Sequence, residues 1–252
     1  MTRPEPTPGV KLNYLIKRRA TTSREELIAH WFANHMPAVI ERNAQSQAAG
    51  LPFAKHYVAT LYDEQPDGAL DQSGGDGGRP VWDGCAQLWF GEPPPWPKQA
   101  SGVVPTDTFQ EKVEPYGPWA TQEYVAVDGA LPLELPTLNR PFPCTRSGFV
   151  KQVSLVPLRA GVSMEALVDH WLDVHLPNVV ETLQKVGGFR YVVNLSTDME
   201  RAPYAGMPEL YFPDLTAQQA FWQEIKPDGF GEYADADRTV RFRCGTEMVG
   251  VE

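Results

Sequence analysis

The sequence has few basic residues for its length and no long apolar run. Its 252 residues include 22 Lys and Arg against 32 Asp and Glu, which gives a formal net charge of -10. Nucleic acid and anionic membrane surfaces both recruit positive charge, so this balance disfavours either as a partner. No stretch approaches the roughly 18 uninterrupted apolar residues of a membrane-spanning helix. We therefore expect a small-molecule partner rather than nucleic acid or membrane.

Cysteine is also scarce. Cys85, Cys144 and Cys244 are odd in number, widely spaced and without a Cys-x-x-Cys pair. This pattern argues against a disulfide framework and against a cysteine-based metal site. Residues 1–9 contain three prolines and no apolar core of a signal peptide. These features predict a cytoplasmic protein.

What the sequence does contain is an internal repeat. A shift of 140 positions lays residues 11–43 on 151–183 without a gap, with 13 identities in 33 positions. The matches include the rarest residue types, as in His30/His170, Trp31/Trp171, His35/His175 and Pro37/Pro177. We infer two homologous halves, at 10–126 and 149–252, and a proline-rich linker at 127–148.

Each half predicts the same order of elements. The first half is predicted to have strands at 11–17, 56–61, 87–90 and 121–127 and a helix from Ser23, its second helix being obscured by prolines. The second half is predicted to have strands at 150–156, 191–195, 209–212 and 239–244 and helices from Ser163 and over 216–225. The result is an α+β fold, two ferredoxin-like βαββαβ repeats. Each repeat leaves one sheet face bare, so we expect them to pack sheet to sheet as an intramolecular pseudo-dimer that closes into an α+β barrel.

The first helix of each half carries the polar residues of most interest. On a helical wheel His35 and His175 lie in the middle of the apolar stripe, whereas His30 and His170 lie on its flank. A buried imidazole needs a hydrogen bond, a ligand or a cavity. A structural role is the alternative, because Pro37 removes a helical amide and the histidines could support the backbone there.

These residues resemble a known family. A lysine opening the first strand, a Ser-x-Glu helix start, His-Trp-(x)3-His-x-Pro, and a later Gly-(x)2-(Gln/Glu)-Leu-(Trp/Tyr)-Phe, with one extra residue allowed, are similar to the EthD family of the dimeric α+β-barrel superfamily. Both halves show the pattern, so the chain resembles a tandem EthD protein. The resemblance implies a pocket between helix and sheet. It also implies a link to ether catabolism or to cofactor-free decarboxylases and dehydratases of aromatic polyketide pathways.

Such a pocket would place the apolar helix face against the substrate. His35 and His175 are then the predicted general acids or bases, because their ordinary pKa lies near neutrality. Tyr14 is predicted to orient or protonate a substrate oxygen, although a strand tyrosine with its hydroxyl in solvent is an equal alternative. We favour the first half, which offers Asn13, Tyr14 and His56. Substrate contacts are predicted for His30, His170, His56, Trp31, Trp89 and Glu209.

Three further expectations concern the strands, a loop and metals. Gln87 and Glu209 are matched strand residues that could meet in the barrel interior, where burial would raise the pKa of Glu209 and make it an acid candidate. An exposed glutamate at a strand edge is the commoner alternative. The Gly-Gly-Asp-Gly-Gly segment at 74–78 lacks the Lys-Ser/Thr of a phosphate loop, so we expect a mobile loop over a pocket mouth. No metal site is predicted, because His30 and His35 are five positions apart rather than four.

The sequence thus favours a cofactor-independent lyase, dehydratase, decarboxylase or isomerase acting on a small aromatic or oxygenated catabolite. The alternative is a non-catalytic ligand-binding or accessory protein for a partner oxygenase. A haem protein is conceivable, because superfamily relatives use a helix histidine as axial ligand. It is less favoured, because the sequence shows no basic cluster that would bind the haem propionates. Further homo-oligomerisation is left open.

Overall fold

A computed structural model describes residues 2–63, 82–131 and 147–251. The described strands are β1 (Val10–Ile16), β2 (Ala54–Leu61), β3 (Gly84–Phe90), β4 (Trp119–Asp128), β5 (Val150–Leu155), β6 (Arg190–Ser196), β7 (Gly206–Phe212), β8 (Val240–Cys244) and β9 (Thr246–Val251). The described α-helices are α1 (Arg24–His30), α2 (Met36–Ala48), α3 (Thr108–Lys112), α4 (Met164–His170), α5 (Leu176–Lys185) and α6 (Leu215–Glu224). The two halves therefore repeat the predicted order of elements.

The strands form one antiparallel sheet that closes on itself. Its order is β8-β5-β7-β6-β4-β1-β3-β2-β9, and β8 and β9 are separated in the chain by Gly245 alone. One continuous run of chain therefore pairs with β5 of the second half and then with β2 of the first. The β4 strand does the same on the opposite side, pairing with β1 and then β6. The predicted α+β barrel from two packed repeats is confirmed.

The differences from the predicted elements lie at the ends of the halves. The sequence pattern gave no separate β9, because the chain passes from one partner strand to the next at Gly245 with hardly a break. The second helix of the first half is only α3, five residues long. The β4 strand runs to Asp128 and so enters the predicted linker. The rest of that linker from 132 to 146, and the glycine-rich loop, lie outside the described residues.

A π-helical turn interrupts the first long helix of each half at the same place. Trp31–His35 joins α1 to α2, and Trp171–His175 joins α4 to α5. In both turns the residue before the proline donates its amide five positions back, as Met36 does to Trp31. Because Pro37 and Pro177 lack an amide and crowd the carbonyl four residues back, the wider turn accommodates them. The turn ends at His35 and His175.

Matched glycines explain how close the helices come to the sheet. A Cβ on Gly84 would lie 3.0 Å from the ring of Trp31, and one on Gly206 would lie 2.7 Å from the ring of Trp171. The tryptophans are both fully buried. Because the glycine of the repeated strand motif has no side chain, it leaves room for the ring of the repeated tryptophan.

Alternation along the strands separates the outside of the barrel from its interior. One face of each half packs on its helices, forming two apolar cores. The opposite faces meet inside the barrel, where a third apolar cluster includes Leu15, Val153, Phe242 and the free thiols Cys85 and Cys244. None of the described helices combines the length and apolar character needed to cross a bilayer.

Candidate functional site

The first-half cavity lies between the helix and the sheet. It encloses about 330 Å³, within the range of sites that hold small ligands. The helix supplies Trp31 and His35 to its wall, and β1 supplies Tyr14. Alternation along β1 turns Asn13 to the barrel interior instead, where it donates to Thr121. The cavity therefore combines aromatic surface with several polar side chains.

An aspartate holds the central histidine of this cavity. Nδ1 of His35 lies 2.6 Å from Oδ2 of Asp107, the residue that caps α3, and the imidazole ring stacks on Phe109 with centroids 4.3 Å apart. A carboxylate only accepts hydrogen bonds, so Nδ1 carries the proton and Nε2 is left for a ligand. Burial lowers the pKa of His35, although Asp107 opposes the shift. The pKa of Asp107 is also lowered, since hydrogen bonds from His35 and Gln110 outweigh its burial. The neutral imidazole is thus favoured near pH 7.

Phenols and one guanidinium complete the first-half cavity. Tyr14 and Tyr116 lie edge to face with centroids 6.1 Å apart. Burial raises the pKa of Tyr14 to about 12 and also raises that of Tyr116. Both phenols therefore remain protonated and can donate to a ligand oxygen. Arg42 lies on the same wall, two helical turns after His35.

The second-half cavity repeats the histidine but not the space around it. Nδ1 of His175 lies 2.8 Å from Oδ2 of Asp228, and the imidazole stacks on Phe230 with centroids 4.0 Å apart. Asp228 also accepts from Asn178, and these hydrogen bonds hold the pKa of Asp228 well below its usual range despite its burial. The cavity encloses only about 130 Å³, and Ser154 stands where the first half has Tyr14.

Sequence reasoning missed both aspartates, although a signal was present. Asp107 and Asp228 are each followed two positions later by the phenylalanine on which the histidine stacks, so Asp-x-Phe occurs once in each half. The pattern is short and stands 72 residues from His35 in one half and 53 residues from His175 in the other. It lies outside the segments in which the repeat aligns without gaps.

The flanking histidines lie outside both helix–sheet cavities. His30 contacts Thr108 Oγ1 through Nδ1 at 2.9 Å. His170 stacks on Tyr233 with centroids 4.3 Å apart. Neither lines the cavity of its own half. Their predicted contact with a substrate gains no support from these cavities and stays a prediction, because His30 packs on Thr108 of α3 and His170 on Tyr233.

Three other predicted contact residues line a separate cavity inside the barrel. This interior cavity encloses about 360 Å³ and includes His56, Trp89 and Glu209. Trp89 lies on the interior face with Gln87, and a bulge at the start of β2 sets His56 on that side, with its ring 6.0 Å from that of Trp89. His56 therefore belongs to the barrel interior rather than to the first helix–sheet cavity, where we had expected it.

A buried ion network stands at the base of the interior cavity. Lys11 lies 3.0 Å from Glu123 and 2.9 Å from Glu209, while Lys151 lies 2.6 Å from Glu209 and 2.5 Å from Glu247. Each of the five side chains is at most 7% exposed. The lysines are matched positions of the repeat.

This network overturns one expectation for Glu209. Gln87 does meet it, donating to Oε1 at 2.7 Å, as the matched strand positions predict. Burial alone would raise the pKa of Glu209, but Lys11 and Lys151 hold that pKa well below its usual range. In return, Glu209 and Glu247 raise the pKa of Lys151 despite its burial. Glu209 is an ionised network member rather than a proton donor.

The helix–sheet cavities supply one feature of a haem site but not the space. A helix histidine with Nδ1 bonded to a carboxylate and Nε2 available is an arrangement that metal-ligating histidines use. However, the cavity at His175 is below the roughly 300–1,000 Å³ of sites for drug-sized ligands, and the cavity at His35 is at the lower end. Haem is larger than such ligands, so it does not fit either cavity as the side chains lie.

Comparison with known folds gives several remote structural likenesses. They include an anthrone oxidase-like protein (TM-score 0.48, 11% identity, 98% of this chain and 95% of that chain) and a chlorite dismutase from Candidatus Nitrospira defluvii in complex with imidazole (0.47, 10%, 94% and 91%). A haem-binding protein from Thermus thermophilus is also similar (0.44, 11%, 96% and 93%). Likenesses this remote do not determine a function.

Comparison with known sequences is more specific. No curated protein matches the chain. The family model of the EthD domain matches residues 159–237, which run from before α4 into the second of the two short 3₁₀ helices after α6, Ala236–Arg238. The matched segment includes His175, Asp228 and the repeated tryptophan motif of the second half. Residues 159–237 are therefore similar to the EthD domain, in a protein whose two halves close into one α+β barrel.

Proposed function

We propose that the first-half cavity is the active site of a cofactor-independent enzyme that transfers protons on a small aromatic or oxygenated compound. The observation that carries the proposal is the His35–Asp107 pair at a cavity that also holds the phenols of Tyr14 and Tyr116. A base, its orienting carboxylate and hydrogen-bond donors for a developing oxyanion are the parts that such chemistry needs.

The chemistry begins with the neutral imidazole. Asp107 fixes the tautomer with hydrogen on Nδ1, so Nε2 of His35 accepts a proton from a carbon next to a substrate carbonyl. The protonated imidazole is stabilised by the carboxylate of Asp107. Tyr14, held protonated by its raised pKa, donates to the substrate oxygen on which charge develops. Return of the proton to another carbon gives an isomerase, and its delivery to a departing hydroxyl gives a dehydratase that releases water.

The experiment is a comparison of two matched variants, His35→Gln and His175→Gln. Small phenolic ketones and hydroxy acids are incubated with the protein in D₂O, and NMR follows deuterium incorporation and products. We expect His35→Gln to reduce turnover by about 10²–10⁴-fold, the usual contribution of a positioned proton-transfer group. His175→Gln is the control, because it removes the equivalent histidine–aspartate hydrogen bond in the second half. Unchanged turnover in His35→Gln would contradict the proposal, whatever His175→Gln does.

A second candidate function is ligand binding without chemistry, as an accessory protein for a partner oxygenase. The observation that favours it is the same His–Asp pair in the second half, where the cavity is small and lacks a counterpart of Tyr14. There the pair connects the π-helical turn to the loop at Asp228, which is a structural role that needs no ligand. A ligand-bound structure in which no titratable group contacts the ligand would support this candidate over catalysis.

Haem binding is tested directly by absorption spectroscopy. Haem is added to the purified protein at equal concentration, and the Soret region is recorded for the unaltered protein and for His35→Gln and His175→Gln. Because neither cavity has the space, we expect no Soret shift that depends on either histidine. A shift lost in one variant would assign the axial ligand and replace the cofactor-independent proposal.

A further inference from the structure

One permanent charge lines the first-half cavity, and it is positive. Among the described residues that form its wall, Arg42 is the only one that is charged at all ordinary pH values. No hydrogen bond or ion pair joins its guanidinium to any residue in the described ranges 2–63, 82–131 and 147–251. No carboxylate is among the described residues that line this cavity, and the nearest one shown to interact with Arg42 through its charge is Asp107, which is bonded to His35. An unpaired guanidinium in such surroundings is suited to an anion.

The position of Arg42 relates it to the proposed base. It follows His35 by seven residues on the same helix, so two turns bring it to the same face, with Val39 between them. Its charge is close enough to contribute to the lowered pKa of His35. The cavity wall thus runs from a cation at one point, through apolar and aromatic surface, to the His35–Asp107 pair.

The second half lacks this arrangement. The position matched to Arg42 is Thr182, whose hydroxyl donates to the carbonyl of Asn178. Arg241 does line the second-half cavity, but it comes from β8 and lies over the ring of Trp222, 5.3 Å from its centroid. A cation on the helix face two turns after the histidine is therefore a feature of the first half.

We infer that the first-half cavity takes an aromatic carboxylic acid, whose carboxylate is bound by Arg42 and whose ring occupies the aromatic interior. Guanidinium binds carboxylate through two parallel hydrogen bonds, which fixes orientation as well as affinity. Tyr14, Trp31 and Phe109 supply the surface for the ring. This inference deepens the proposed function and rests on the same cavity, since it names the class of substrate on which His35 would act.

The test is a binding experiment that needs no turnover. Calorimetry measures the affinities of 4-hydroxybenzoate and 3-phenylpropanoate, and of the two corresponding neutral amides, for the unaltered protein, Arg42→Gln and Arg19→Gln. We expect Arg42→Gln to weaken binding of the acids by roughly tenfold or more, as for loss of a charge-assisted hydrogen bond, and to leave the amides unchanged. Arg19→Gln, outside the cavity wall, controls for the loss of one positive charge.

Three results would overturn the inference. They are equal binding of acid and amide by the unaltered protein, acid binding that Arg42→Gln leaves intact, and no saturable binding of either acid. Because Arg42 is exposed, we expect Arg42→Gln to fold normally. A thermal unfolding curve that matches that of the unaltered protein would exclude misfolding as the cause of lost binding. Acid binding that depends on Arg42, together with unchanged turnover in His35→Gln, would refute catalysis but retain acid recognition. Turnover that depends on His35 but not on Arg42 would retain catalysis and refute the recognition of an acid by Arg42.

Discussion

The two halves of the molecule hold the same His–Asp pair in cavities of different content. Around His35 the cavity is about 330 Å³ and contains Tyr14 and Arg42, whereas around His175 it is about 130 Å³ and the matched positions are Ser154 and Thr182. The pair with its π-helical turn and stacked phenylalanine is common to both. The pair alone therefore does not distinguish the halves, and Tyr14 and Arg42 are what the first half adds to it for the proposed chemistry.

The largest effect should come from the carboxylate that orients His35. Asp107→Asn replaces an acceptor by a side chain that can present an amide hydrogen to Nδ1, which favours the wrong imidazole tautomer. We expect turnover of a substrate found in the NMR screen to fall by about 10²–10⁴-fold, with little change in the affinity for aromatic acids. The matched change Asp228→Asn should leave turnover nearly unchanged. Equal losses in the two variants would remove the distinction between the cavities.

The barrel interior offers a second matched pair, Gln87 and Glu209. Glu209→Ala leaves Lys11 and Lys151 buried with one carboxylate fewer, so we expect the free energy of unfolding to fall by about 3–5 kcal/mol. Gln87→Ala removes an uncharged side chain that donates to Asn13 and to the ionised Glu209, and it should cost about 1–3 kcal/mol. Urea unfolding measures both. A cost for Gln87→Ala as large as that for Glu209→Ala would show that charge is not what distinguishes these positions.

The helix starts give a smaller contrast. Ser23 caps α1 in a complete capping box, in which Glu26 accepts the Ser23 amide, whereas Ala166 at the matched position cannot return a bond to Ser163. We expect Ser23→Ala to lower the free energy of unfolding by about 1 kcal/mol and Ser163→Ala to cost less. Thermal unfolding of the two variants side by side measures the difference, and the reverse order would contradict it.

The smallest effect concerns pH. Burial lowers the pKa of His35 below its ordinary value of 6.5, so on acidification the unfolded chain binds a proton there before the folded protein does. Stability should therefore decline as pH falls from 6.5 towards the lowered pKa. His35→Gln should flatten this part of the profile of unfolding free energy against pH. A steeper decline in His35→Gln than in the unaltered protein would contradict the direction assigned to this pKa.

The fold could be predicted because the repeat and the alternation are local signals. Thirteen identities between 11–43 and 151–183 establish two equivalent halves, and two sheets with bare faces then imply the barrel. The orientation of His35 and Trp31 towards the helix–sheet cavity followed from helical periodicity, whereas strand alternation predicted only that one of Asn13 and Tyr14 faces it. Their catalytic or binding roles stay predictions.

The partners of the site could not be predicted in the same way. Asp107 and Asp228 reach the histidines from distant loops whose lengths differ between the halves, so no periodicity connects them. The charge state of Glu209 depends on Lys11 and Lys151, which approach it only when the two sheets face each other. The strand pattern left burial and exposure of Glu209 both open, and once Glu209 is buried the sign of its pKa shift depends on which charges are buried with it.

The single run of chain that contains β8 and β9 also has a consequence for the order of folding. Pairing of Leu61 with Thr246 joins residues 185 positions apart, and it is made by the same run of chain that pairs with β5. Contacts this distant in sequence are entropically costly and slow to form. The edge of β2 in the first half therefore stays unpaired until residues 246–251 have been synthesised and can pair with it. During synthesis, that edge is the surface most exposed to wrong partners.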